Sequence, residues 1–181
     1  MDIYNTLEAA MIRKLALVLI LVAPLAACDS GKEGTSISIN TTDADGNMIA
    51  GVDGKTGQVS LNVPGFSGKI KMPKIKLDAD NFDMNGVHLY PGSTISGMNI
   101  DAKDGAGGDE DSGTVKVSFS SPATPDTVRG WFLEKLNSGA KFNVKASGSG
   151  LTGTTDEGKP FTLNLSPDGA AKSKGTIVLG S

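Results

Sequence analysis

The sequence predicts an α+β fold that is mainly β: a region of short strands, then an antiparallel sheet carrying one packed helix at about residues 125–138. Three observations predict it. Apolar and polar residues alternate in short runs over residues 37–100 and again after 114, the period of a strand with one buried face. Asp45-Gly46, Asp53-Gly54 and Asn85-Gly86 supply tight-turn chemistry between runs. Val128, Phe132 and Leu136 then recur at helical spacing. Composition agrees, since 24 glycines and 5% aromatics among 181 residues suit many turns between short strands. The net charge of -3 gives no basic field to gather phosphates, so nucleic acid is not an expected partner.

The first segment reads as an address. Arg13 and Lys14 open a positive start, Leu15 to Ala27 form an apolar run, and the small residues Ala26 and Ala27 precede Cys28. Charge, apolar stretch and small-residue site make a secretory signal, expected over residues 1–27. A spanning helix needs roughly 20 apolar residues, and this run is shorter. Residues 1–10 carry Asp2 and Glu8 where a basic start belongs, so translation is expected to begin at Met11.

Leu25-Ala26-Ala27-Cys28 resembles the lipobox of bacterial lipoproteins. The resemblance implies cleavage between Ala27 and Cys28, a diacylglyceryl group on the Cys28 sulfur, and acylation of the new amine. The expected location is the cell envelope, facing the periplasm, with lipid on Cys28 as the membrane contact. Asp29 resembles the inner-membrane retention signal of enteric bacteria, a rule that does not transfer between bacterial groups, so inner and outer membrane stay open. The chain's single cysteine cannot close an internal disulfide.

Residues 28–36 read as a polar, Gly-containing tether. The β-rich region 37–100 follows, with alternation at 36–39, 59–63, 70–72, 75–77, 82–84 and 87–89. Pro73 lacks an N–H for a ladder, so its strand is expected at an edge or broken there. The run of short strands resembles, without a fixed repeat period, the repetitive β-domains of exported adhesins. Residues 101–113 are an acidic, Gly-rich loop expected to separate two subregions or to decorate a sheet edge.

Residues 114–181 read as an α+β domain. Val115, Val117 and Phe119 alternate as a strand. Thr124 can cap a helix, Pro125 suits its first turn, and Asp126 meets its positive end. Asn137-Ser138-Gly139 stops it, with Gly139 expected as a left-handed cap. Strands are expected near 141–147, 151–155, 160–166 and 175–180. The Tyr90-Pro91-Gly92 turn, a strand, Ser121-Pro122-x-x-Pro125 and a Gly-terminated helix resemble a small module of many uncharacterised bacterial envelope proteins.

No motif amounts to an active site, and no cofactor is expected. Gly148-x-Gly150-x-x-Gly153 matches the dinucleotide fingerprint, but turn-like residues follow where a helix must stand, so a Gly-rich hairpin is expected. Asn81-x-Asp83-x-Asn85-Gly86 resembles the opening of a calcium loop, yet Gly92 occupies the position of the bidentate Glu. Asp101, Asp104, Asp109, Glu110 and Asp111 form a weak calcium candidate, weighed against a solvated loop. His88, between Val87 and Leu89, is expected to face water and cannot build a zinc site alone. No Gly-x-Ser-x-Gly elbow accompanies it. One ring of Trp131 and Phe132 is expected in the core and the other at its rim. Lys69, Lys71, Lys74 and Lys76 read as edge-strand lysines that block aggregation, or as a contact for anionic headgroups or polysaccharide.

The leading expectation is a non-enzymatic envelope lipoprotein that binds another envelope protein or a polymer. A small-ligand carrier or sensor, with a pocket between helix and sheet, is the second. An envelope enzyme is the third, and it needs converging carboxylates from Asp156 and Glu157 or the acidic loop.

Overall fold

Alternation is realised as strands through most of the described residues. The computed structural model describes residues 34–43, 46–103 and 112–180. The expected signal segment, Ala27, Cys28 and most of the expected tether lie outside the described residues. The strands are β1 (Ser36–Asp43), β2 (Gly46–Asp53), β3 (Gln58–Val63), β4 (Phe66–Lys71), β5 (Leu77–Asp78), β6 (Asp83–Met84), β7 (Val87–His88), β8 (Thr94–Lys103) and β9 (Ser112–Ser121). The helix α1 (Pro125–Ser138) follows, then β10 (Asn143–Ser147), β11 (Gly150–Thr154), β12 (Pro160–Pro167) and β13 (Ser173–Leu179). The fold is α+β, mainly β, as the sequence predicts.

One sheet runs in the order β10-β11-β12-β13-β9-β8-β1-β2-β3-β4, with β5 added to β8. The β1–β8 pair is parallel and the other pairs are antiparallel. This corrects the expected organisation. The 37–100 and 114–181 regions share one sheet, and β8 and β9 are central neighbours in it. Residues 101–103 and 112–113, expected in the acidic loop, are ladder residues of that hairpin. A long hairpin ladder there satisfies the backbone groups that a loop would leave to water.

The tether also ends sooner than expected. Thr35 is fully buried, and its hydroxyl donates to the Ile95 carbonyl at 2.7 Å while accepting from Leu77 N–H at 2.9 Å. This one side chain ties the start of β1 to β5 and β8.

The helix obeys its local chemistry. Thr124 is extended, and its hydroxyl accepts from Thr127 N–H at 3.4 Å. Pro125 opens the first turn, and Asp126 pairs with Arg129 at 2.9 Å. Val128, Phe132 and Leu136 are completely buried. At the other end Gly139 is right-handed (φ -92°), not left-handed as expected. A Cβ there would meet the Lys135 carbonyl at 2.9 Å, so close approach explains the glycine. The positive φ falls on Lys141 (60°). The Asn137 amide then clamps β10, donating to the Val144 carbonyl (3.0 Å) and accepting from Val144 N–H (2.9 Å).

Beneath α1 the registers align apolar rows. Val117, Ile177, Leu163 and Leu151 lie across four strands, and all are buried. In the next row Phe119 opposes Gly175, and a Cβ at 175 would collide with the Phe119 ring. The glycine makes room for the ring, which lies 6.2 Å from that of Phe132. Asn85 and Gly86, both at positive φ, form the tight turn between β6 and β7, whose Met84 and Val87 are buried in the same core.

Candidate functional site

The strands β1–β4 form a wing of different character. Their registers place Ile37, Ile39, Val52, Ala50, Val59, Leu61 and Ile70 on one face. In the rest of the sheet that face is the core. Among the described residues none of β1–β4 belongs to the core, and no helix or second sheet packs on the wing. Leu61, Phe66 and Ile70 are 38%, 58% and 61% exposed. An apolar sheet face is normally buried against another layer. A contiguous uncovered one marks an interaction surface more often than an accident. The edge strand β4 also offers unpaired backbone groups next to this face.

The opposite face of the wing is polar. Ser36, Ser38, Ser60, Asn99 and Lys116 line an open trough of about 760 Å³ that also touches Gly51 and Gly97. Its polar groups bond one another: Asn99 Nδ2 donates to Ser38 Oγ at 2.7 Å, and Gly54 N–H donates to Ser36 Oγ at 3.1 Å. At its end Asp53 accepts from the backbone N–H of Lys55 (2.8 Å) and Thr56 (3.2 Å). Those two donors hold the exposed Asp53 carboxyl below the usual range.

The sequence-derived candidates do not converge. Asp101, expected in a calcium loop, sits in β8 with its carboxylate accepting from Asn40 Nδ2 at 2.9 Å. Asp104, Asp109, Glu110 and Asp111 lie outside the described residues. Among the described residues no three His, Cys, Asp or Glu side chains group as metal ligands. In the 81–86 segment, Asn81 Oδ1 accepts from Asp78 N–H and Asp83 Oδ1 accepts from Gly86 N–H, so both oxygens serve local turns. His88 is exposed, as expected, with Nδ1 at 3.1 Å from the Phe82 carbonyl and Nε2 at 3.7 Å from Asp83. Asp156 and Glu157 are exposed on the turn after β11, at the rim of a cleft of about 540 Å³. The 148–153 glycines form the β10–β11 hairpin, with a strand where a dinucleotide fingerprint needs a helix. Gly150 and Gly153 lie so close to the Leu163 and Asn143 carbonyls that a Cβ would collide with each.

The chain matches no protein-family model, no curated protein and no solved structure.

Two further features escape a reading of periodicity. Ser121 and Ser173 oppose each other on β9 and β13, and Ser93 precedes β8 beside them. All three are buried on the core side, and their hydroxyls have no partner among the described residues. Trp131 stays at the rim, edge-on to Tyr90 at 5.7 Å and beneath the Lys135 ammonium at 5.3 Å, while Phe132 is buried. The Trp131 Nε1 is likewise buried without a partner there. Neither cavity above is lined by helix residues.

Proposed function

We propose that the protein is a membrane-anchored lipoprotein of the cell envelope, lipidated on Cys28, that acts without catalysis as a binding module for another envelope protein. It faces the periplasm, on the inner or the outer membrane, and has no use for nucleic acid. The uncovered apolar face of β1–β4 carries the binding part of this reading. The signal and lipobox of residues 13–28 support the address. A polymer is the weaker occupant, because this face offers aliphatic side chains and few hydrogen-bonding groups. Among the described residues no helix is long and apolar enough to cross a membrane.

Crosslinking in living cells tests the binding surface. Phe66→Thr together with Ile70→Thr keeps strand propensity and removes two exposed apolar side chains. The pair is expected to leave folding stability within about 0.5 kcal/mol of the parent. Recovery of one recurrent envelope partner is expected to fall about tenfold or more. Unchanged recovery would place binding elsewhere.

A small-ligand carrier is the second reading, favoured by the buried hydroxyls of Ser93, Ser121 and Ser173. Unpaired buried hydroxyls cost about 1–3 kcal/mol each, so a bound polar molecule there would be stabilising. Native mass spectrometry of the membrane-purified protein discriminates. The binding-module reading expects the bare polypeptide mass plus lipid. A further constant mass, lost in Ser121→Leu, would favour the carrier.

A further inference from the structure

Residues 69–76 read Lys-Ile-Lys-Met-Pro-Lys-Ile-Lys, and all eight are exposed. Between Asp53 and Asp78 there are five lysines and no acidic residue, in a chain whose net charge is -3. Residues 72–76 are irregular: the edge strand β4 ends at Lys71, just before Pro73, as expected of a residue with no N–H for the ladder. They lie where the chain emerges from its amino-terminal segment. Thr35 N–H donates to the Ile75 carbonyl at 2.6 Å, and Gly34 N–H donates to the Gly54 carbonyl at 2.8 Å. A Cβ on Gly34 would lie 3.2 Å from that of Lys74. Gly34 lies six positions after Cys28, a covalent reach of no more than about 21 Å.

We infer that this end of the sheet docks on the anionic phospholipid surface of the membrane that holds Cys28, an inference that rests on the lipoprotein reading above. Lys69, Lys71 and Lys76 supply charge of the required sign. Met72 and Ile75, 43% and 40% exposed, supply apolar groups that enter a headgroup layer. Lys55 and Lys74 belong to the same surface, each also in contact with another group. A short tether holds this surface close to the bilayer, where charge attraction extends only about 8–10 Å at physiological salt. Polysaccharide would satisfy the lysines but offers no apolar layer for Met72 and Ile75.

The full lipidated protein, purified in detergent, is placed on vesicles of phosphatidylcholine alone and of phosphatidylcholine mixed with phosphatidylglycerol. With Cys28 acylated, Ile75→Cys adds a single free thiol for an environment-sensitive fluorophore, and Glu157→Cys labels the opposite end of the sheet. Docking predicts a blue-shifted, lipid-quenched probe at 75 on the anionic vesicles only, and an unchanged probe at 157. Salt of about 1 M, which cuts the screening length to about 3 Å, reverses the shift. Each of Lys69→Gln, Lys71→Gln and Lys76→Gln lowers the docked-to-undocked ratio about fivefold. A probe at 75 equally wet on both vesicle types, with protein bound to both, overturns docking and leaves the anchor standing. Protein left in solution with both vesicle types overturns the anchor and docking together. A probe shielded only by added envelope polysaccharide overturns docking in favour of the polymer.

Discussion

Phe132→Ala is expected to cost about 3–5 kcal/mol of folding stability, the range for removing a fully buried aromatic ring. The ring has no solvent exposure and lies tilted against Phe119. It is the middle of the three fully buried residues of α1, so the cavity opens at the centre of the core. A domain of this size holds about 5–15 kcal/mol in all, and the loss is therefore a large fraction. Urea unfolding measures it as a lower midpoint at unchanged slope. Phe66→Thr is the internal control: the same residue type, 58% exposed on the wing, with an expected change of no more than about 0.5 kcal/mol. Equal costs at the two sites would mean that core and wing do not differ as described.

Cys28→Ser has the largest expected effect on location. On the proposed lipoprotein reading, the serine oxygen cannot receive the lipid assigned to the Cys28 sulfur, and the anchor would lose its acyl chains together. One chain holds a protein marginally, at about 0.8 kcal/mol per buried CH₂, while two or more hold it stably. Incorporation of labelled fatty acid is expected to vanish in the variant. Membrane pelleting alone is a poorer readout, because an uncut apolar run at residues 15–27 can itself hold a membrane. Label incorporated equally by Cys28→Ser and parent would show that lipid is attached elsewhere or not covalently.

The helix was the most legible element, since cap, proline and apolar spacing all lie within fifteen consecutive residues. The Asn85-Gly86 hairpin was legible for the same reason: turn chemistry is local, and both residues adopt the positive φ it demands. The parallel β1–β8 pair was not legible, because it joins residues about sixty positions apart and alternation carries no record of a partner. The ends of β8 and β9 likewise read, in sequence, as part of an acidic loop that separates two subregions or decorates a sheet edge, not as paired central strands. Gly139 misled because glycine serves two purposes, and here it admits a close carbonyl rather than a left-handed turn. Gly175 carried no signal at all until Phe119 stood opposite it. For the site, alternation did show that β1–β4 have an apolar face, but not that nothing in the described chain covers it. The lysines of 69–76 were visible as a run. Their position beside Gly34 required the contacts of Thr35 and Ile75.

The most direct test of the central claim is the mass of the amino-terminal peptide from protein purified out of membranes. The account predicts a peptide that begins at Cys28 and carries a diacylglyceryl group on sulfur, with or without an acyl chain on the amine. An unmodified peptide beginning at Cys28, or an intact peptide running through Ala27-Cys28, would contradict it.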